Sequence, residues 1–361
     1  MSESPPSQAA PSGGSPTTAS TTPLPPLKSV LPPWPGEEIP VRGGQVFVRS
    51  TPWTGPVDGS DGPRERALYV HGLGGASTNW TDLAALLAVR FDGWAVDLPG
   101  FGRSQPPPRG RYSIGGHVRA VVDVLEHIGR QPGAAAGRPV HLVGNSLGGL
   151  VSVLVASRRP DLVASLTLIS PAMPVYRVPP AFSRALLLLL VPGIPSLAAR
   201  RIGGLSPEDS VRAMVRMCFG QPSHVSPERL EQAVQEMRER AEQPWADHAL
   251  THSMRGLITS YLKVGAANAW RAARALTPPT LVLWGSKDRL VDPGLAPRLA
   301  AVIPDSRLLV LDDVGHVAML EAPEPTARAV LGLVESMDGK DSAATCRESQ
   351  AAVGTPRSVR R

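Results

Sequence analysis

Between residues 67 and 170, short apolar runs alternate with stretches whose apolar positions recur every three or four residues. The runs 67–70, 94–97, 138–143 and 165–170 have the length and composition of buried strands, and 45–50 reads as an earlier one. Between them, 79–89 carries Trp80, Leu83, Leu86 and Leu87 at helical spacing. The stretch 113–128 does the same with Val118, Val121, Val122, Leu125 and Ile128, and 147–157 follows as a third helix. After Pro171 the pattern changes. Residues 173–275 show helical periodicity and no clear strand, with Ser206-Pro207 and Ser226-Pro227 as helix starts. Strand character returns at 280–284 and 307–311. Alternating strands and helices predict an α/β protein, with a mostly parallel sheet covered on both faces and a helical insert between its two halves. Ligands in such sheets bind at the carboxyl ends of the strands, where His71, Asp97 and Ser146 fall.

The ends differ from the middle. Residues 1–38 are rich in Pro, Ser, Thr and Ala without apolar period, and 338–361 are polar, so both are expected to be disordered tails. That leaves 39–172 and 276–337 as the sheet-bearing core and 173–275 as the insert. The chain has 361 residues, 42% of them hydrophobic, enough for a large core. The nearest approach to a membrane span, 185–191, is stopped by Pro192-Gly193 and falls short of the ~18–20 residues needed. The start Met1-Ser2-Glu3 lacks the basic opening of a secretory signal. Cys218 and Cys346 fit no metal or disulfide spacing, so a cytoplasmic location is expected. The net charge of +6 comes with scattered arginines and only 4% aromatics. That argues against a nucleic-acid surface and leaves open a weak attraction to anionic membrane. Nothing in the sequence sets an oligomeric state.

The chemistry concentrates on Ser146, in Val143-Gly144-Asn145-Ser146-Leu147-Gly148-Gly149. A serine between strand and helix, with glycine two places to either side, is a nucleophile elbow. The glycines allow the tight turn, and the helix N-terminus favours developing negative charge at the hydroxyl. A serine hydroxyl needs a base, and the base needs a partner that fixes its tautomer. His316 follows the strand at 307–311 and Asp288 follows that at 280–284, so the chain order is Ser146, Asp288, His316. Asp292, before Pro293, competes with Asp288 but also suits a helix start. Asp312 and Asp313 read as turn residues, Asp97 and Ser104 as braces of their loop. His248 and His252 have i, i+4 spacing without an intervening glutamate, so no metal or other cofactor is expected.

Five ordered motifs resemble the α/β-hydrolase superfamily across about residues 40–337. They are His71-Gly72-Leu73-Gly74, Asp97-Leu98-Pro99-Gly100-Phe101-Gly102-Arg103-Ser104, the elbow, Trp284-Gly285-Ser286-Lys287-Asp288, and Gly315-His316 followed by Glu321-Ala322-Pro323-Glu324. The resemblance implies an α/β-hydrolase fold, a mostly parallel sheet of about eight strands with an inserted helical cap over the site. It places the catalytic acid at Asp288 and a structural histidine at His71. It further implies an oxyanion hole from the backbone amides of Leu73 and Leu147. Serine at the elbow, rather than aspartate, sets the chain apart from the superfamily's dehalogenases and epoxide hydrolases.

The reading that follows is a serine hydrolase of carboxylic esters with an apolar acyl group. The segment 185–194, flanked by Arg184, Arg200 and Arg201, is either a lid helix over an acyl chain or an ordinary cap helix. Met214, Met217 and Met254 suit an adaptable apolar pocket or a core equally. The elbow also resembles that of carbon–carbon hydrolases acting on meta-cleavage products. Leu73-Gly74-Gly75-Ala76 after the His-Gly pair and Val317 after the histidine depart from that subgroup, which ranks second. A non-catalytic receptor or scaffold is the reading of another class, disfavoured because all three candidate residues are present.

Overall fold

A computed structural model describes residues 15–27, 31–51, 53–55, 65–110, 112–133, 135–175 and 206–353. Nine strands form one sheet: β1 (Ser15–Pro16), β2 (Gly36–Val41), β3 (Gly44–Thr51), β4 (Glu65–Val70), β5 (Phe91–Val96), β6 (Val140–Asn145), β7 (Val163–Ile169), β8 (Thr280–Gly285) and β9 (Ser306–Leu311). Their order is β1-β9-β8-β7-β6-β4-β5-β3-β2. Only the β2–β3 and β3–β5 pairings are antiparallel. Seven of the eight longer strands are those the sequence pattern predicts; the eighth, β2, begins at Gly36, inside the segment expected to be a disordered tail. The ninth, β1, is a two-residue addition along β9.

Strand periodicity sorts the core into two layers. Leu68 and Val70 of β4, Leu142 of β6, and Val282 and Trp284 of β8 pack into one apolar cluster. Helices α2 (Ile114–Arg130) and α3 (Leu147–Arg158) supply its outer side. Ala67 and Tyr69, Val143, and Leu281 and Leu283 alternate to the opposite face. There they meet α1 (Thr81–Leu87) and the first part of a long C-terminal helix. Every residue of β6 and β8 is buried, as a parallel strand covered on both faces requires.

Between β7 and β8 lie α4 (Pro207–Cys218), α5 (Pro227–Ala241), α6 (Ala246–Ser260) and α7 (Ala269–Arg274). The predicted starts hold: the Ser206 hydroxyl accepts the Asp209 amide at 3.0 Å and that of Ser226 accepts Arg229 at 3.3 Å. Helix α7 belongs to the core, because Trp270 is buried in the first cluster. The segment 185–194, read as either a lid or an ordinary cap helix, lies outside the described residues. After β8 come α8 (Leu295–Val302), α9 (Ala318–Glu321) and α10 (Pro323–Val353).

Both expected tails need correction. Residues 15–27 lie along the core instead of forming a disordered arm. Ser20 is buried, and the hydroxyls of Ser20 and Thr22 donate to Glu335 at 2.5 and 2.8 Å. Leu24 and Leu27 pack on the second cluster. Gly332 makes the close approach feasible, since a Cβ there would stand 1.9 Å from the Thr18 carbonyl oxygen. At the other end α10 continues past residue 337 to Val353, so helix replaces the expected tail over 338–353. Composition reports whether a segment can build its own core; it is blind to a groove elsewhere that accepts small hydroxyl side chains.

Candidate active site

Strand β6 ends in a turn too tight for ordinary residues. A Cβ on Gly144 would lie 2.6 Å from the Gly148 oxygen, and one on Gly148 would lie 2.2 Å from the Val70 oxygen. Ser146, between them, takes φ 54° and ψ −117°, a conformation that L-residues avoid. It persists because its surroundings fix it. The Ser146 amide donates to Ile169 O at 3.1 Å, and its carbonyl accepts Ala172 N–H at 2.8 Å and Leu150 N–H at 3.0 Å. The serine is half-buried at the N-terminus of α3, where the helix dipole favours negative charge.

The turns after β8 and β9 bring Asp288 and His316 together. His316 Nδ1 donates to Asp288 Oδ2 at 2.8 Å. The other carboxylate oxygen accepts the amides of Leu290 at 2.9 Å and Val291 at 3.0 Å. Both side chains are buried. A proton on Nδ1 leaves Nε2 of the neutral ring as an acceptor. Asn145, next to Ser146, donates through Nδ2 to His316 O at 3.0 Å and Ile169 O at 3.1 Å. This buried amide ties the serine turn to the histidine loop. Sequence reasoning read Asn145 only as part of a motif; an amide at the end of an otherwise apolar strand was the available signal.

The loop after β4 closes the third side. A Cβ on Gly72 would lie 3.0 Å from Ser146 Cβ, so this backbone runs directly beside the serine. Among the described residues the Leu73 amide has no backbone acceptor, whereas Leu147 is buried as the first residue of α3. His71 holds the loop in place. Its Nδ1 donates to Gly72 O at 2.7 Å while Nε2 accepts Leu98 N–H at 2.9 Å. Burial pushes its pKa down, which matches a neutral ring with one donor and one acceptor. Asp97 accepts the amides of Ser77 and Arg103, and the Ser104 hydroxyl donates to Asp97 O at 2.6 Å. These residues brace loops, as their sequence context suggested.

The competitors stand elsewhere. Asp292 is exposed and accepts Gly294 N–H at 2.9 Å; Asp312 and Asp313 are also exposed. His248 and His252 stack with ring centroids 3.8 Å apart, and among the described residues no cluster of three metal-ligating side chains occurs. Burial and the Asp288 charge push Cys218 up to about 11, which keeps it a thiol.

A serine at a strained elbow, a buried imidazole–carboxylate pair and a tight His-Gly loop meet at the ends of parallel strands. The family model for the alpha/beta hydrolase fold matches residues 68–323, and the chain belongs to that family. Among known proteins it is 25% identical to monoacylglycerol lipase abhd6-B of Xenopus laevis over 293 residues, 79% of either chain. It is 28% identical to Lipase 1 of Psychrobacter immobilis over 273 residues, 73% of this chain and 74% of that one. A solved membrane phospholipase A, described as a bacterial virulence factor, superposes with a TM-score of 0.64 at 23% identity. That match covers 84% of this chain and 86% of the phospholipase, and it shows the common fold. Among the described residues, no helix is long and apolar enough to cross a membrane.

Proposed function

We propose that this ester-hydrolysing enzyme cleaves carboxylic esters with an apolar acyl group through an acyl-enzyme on Ser146. The observation that carries the reading is the 2.8 Å bond from His316 to buried Asp288, beside an elbow that presents Ser146. In the first step the Ser146 oxygen attacks the ester carbonyl while His316 Nε2 takes its proton. Asp288 stabilises the imidazolium that forms. The amides of Leu73 and Leu147 receive the oxyanion, being fixed dipoles that need no reorganisation. The C–O bond to the alcohol then breaks, and the alcohol leaves with the proton from His316. Water, deprotonated by the same imidazole, attacks the acyl-enzyme and releases the acid. An apolar acyl group accords with the lipase relatives and with the apolar run at 185–191.

The test is hydrolysis of p-nitrophenyl esters of increasing chain length by wild type and Ser146→Ala. Ser146→Ala is expected to lower kcat by at least about 10³-fold with the fold intact. The chain-length optimum gauges the acyl pocket. A Ser146→Ala enzyme that keeps most of its activity would sink the assignment.

A further inference from the structure

Glu321 sits five residues after His316, at the end of α9, and its carboxylate reaches out of its own loop into the cap. Oε2 accepts the amide of Gly315 at 2.7 Å and that of Gly220 at 3.0 Å. Oε1 accepts the amide of Gln221 at 2.8 Å. One carboxylate thus joins the residue before His316 to the segment that leaves α4. A fourth bond runs alongside, from His316 N–H to Cys218 O at 2.6 Å. The two segments touch backbone to backbone. A Cβ on Gly220 would lie 2.2 Å from Asp313 O, and one on Gly315 would lie 2.3 Å from Cys218 O. No side chain fits between them, so their register is set by these hydrogen bonds.

We propose that Glu321 is a positioning residue for His316, locking the histidine loop to the cap so that the imidazole faces Ser146 only when residues 218–221 are seated. The physical reason is directional. Apolar packing tolerates small slides, whereas three amides converging on one carboxylate define a position, and charge-assisted bonds are the stronger kind. Asp288 holds the imidazole through Nδ1, which fixes the ring's tautomer and tilt but not the path of the backbone beneath it. Glu321 and Cys218 O fix that path. Seating the cap and aligning the base are then one event. The inference rests on the reading of His316 as the base.

The test uses full-length wild type, Glu321→Ala, Glu321→Gln, Glu335→Ala and Ser146→Ala, with kcat and KM measured on one p-nitrophenyl ester. Glu335 accepts two hydroxyls on the far part of α10, so its variant loses hydrogen bonds without touching the histidine loop. Glu321→Ala is expected to lower kcat about 100-fold with KM within about twofold, the cost of a displacement near 1 Å at the reacting groups. Glu321→Gln keeps one oxygen for two of the three amides, and a loss of about tenfold is expected. In both, the loss falls on kcat and not on KM, and glutamine restores part of what alanine loses, because one oxygen still bonds the loop. Glu335→Ala leaves kcat and KM unchanged. Wild-type kcat in folded Glu321→Ala would overturn the proposal; should that variant not fold, the same result in Glu321→Gln overturns it. Activity that survives in Ser146→Ala refutes the catalytic reading itself, a separate outcome.

Discussion

The sheet core and the cap are held by different physics. Helix α3 buries every residue from Leu147 to Ala156, and β6 and β8 are buried throughout. By contrast α4 buries Val211 alone, and α5 buries no residue. What fastens α5 to the core is a row of polar bonds. Arg229 pairs with Asp82 of α1, and the Thr78 hydroxyl donates to Glu236 at 3.1 Å. Arg240 donates to Gly74 O at 3.0 Å, and Gln243 donates to Gly102 O at 2.7 Å. Burial pushes Glu236 up and Arg240 down, so this seam is desolvated although it is not greasy. A core made by apolar area is non-directional and cooperative. A cap held by individual polar bonds opens locally at lower cost, and one of those bonds, from Arg240 to Gly74 O, lands on the His-Gly loop beside Ser146. The site is therefore assembled at a border between a rigid region and a releasable one.

The contrast can be broken at three points. Leu168, fully buried in β7, should be the most costly. Leu168→Ala is expected to lower global stability by about 3 kcal/mol in urea unfolding, within the range for buried leucines. A loss well under 1 kcal/mol would mean that the sheet is not the cooperative core. Arg229→Ala attacks the seam and leaves Asp82 buried without its cation; Oδ1 of that carboxylate already lacks a partner among the described residues. A loss of about 2 kcal/mol is expected. It should appear as faster amide exchange and proteolysis over α5, with the exchange of β6 and β8 unchanged. Uniform loosening of core and cap together would contradict the division drawn above.

The smallest effect concerns Glu65 at the amino end of β4, far along the strand from the site. Burial opposes its charge, yet the His141 hydrogen bond and charge, then Arg90, outweigh it and hold Glu65 at about 2. A carboxylate depressed from its usual value near 4.5 contributes stability above that pH and loses it as pH falls toward 2. Glu65→Gln should therefore flatten the stability profile between about pH 5 and pH 2 by roughly 1–2 kcal/mol. The esterase pH profile should not change, because the group lies at the opposite end of the strand. A shifted activity profile would show that the two ends of the sheet communicate.

The elements legible in the chain were those whose information is local. The strands around 67–70, 140–145 and 280–285 announce themselves by continuous apolar runs, and Ser206 and Ser226 announce helix starts through their own hydroxyls. The elbow is legible because glycine at 144 and 148 is a steric necessity. What escaped the reading is long-range. Asn145 and Glu321 stand in motifs of the resemblance without a role of their own until their amide and carboxylate are seen to bridge loops over a hundred residues apart in sequence, as Glu321 does to Gly220. The strap at 15–27 reads as disordered because its partners, Arg328 and Glu335, lie about three hundred residues away.

By itself the sequence determined the α/β class, the two layers of the core and the serine elbow, because periodicity and glycine sterics act over a few residues. It also supplied candidates for the base and the acid, through their place after strand ends. Only the tertiary structure decided that Asp288 rather than Asp292 meets His316. It alone showed which atoms His71 bonds in bracing its loop, and that the cap is seated by polar bonds. A hydrogen bond is a matter of a few tenths of an ångström and an angle, and those are set only when distant segments have been packed together.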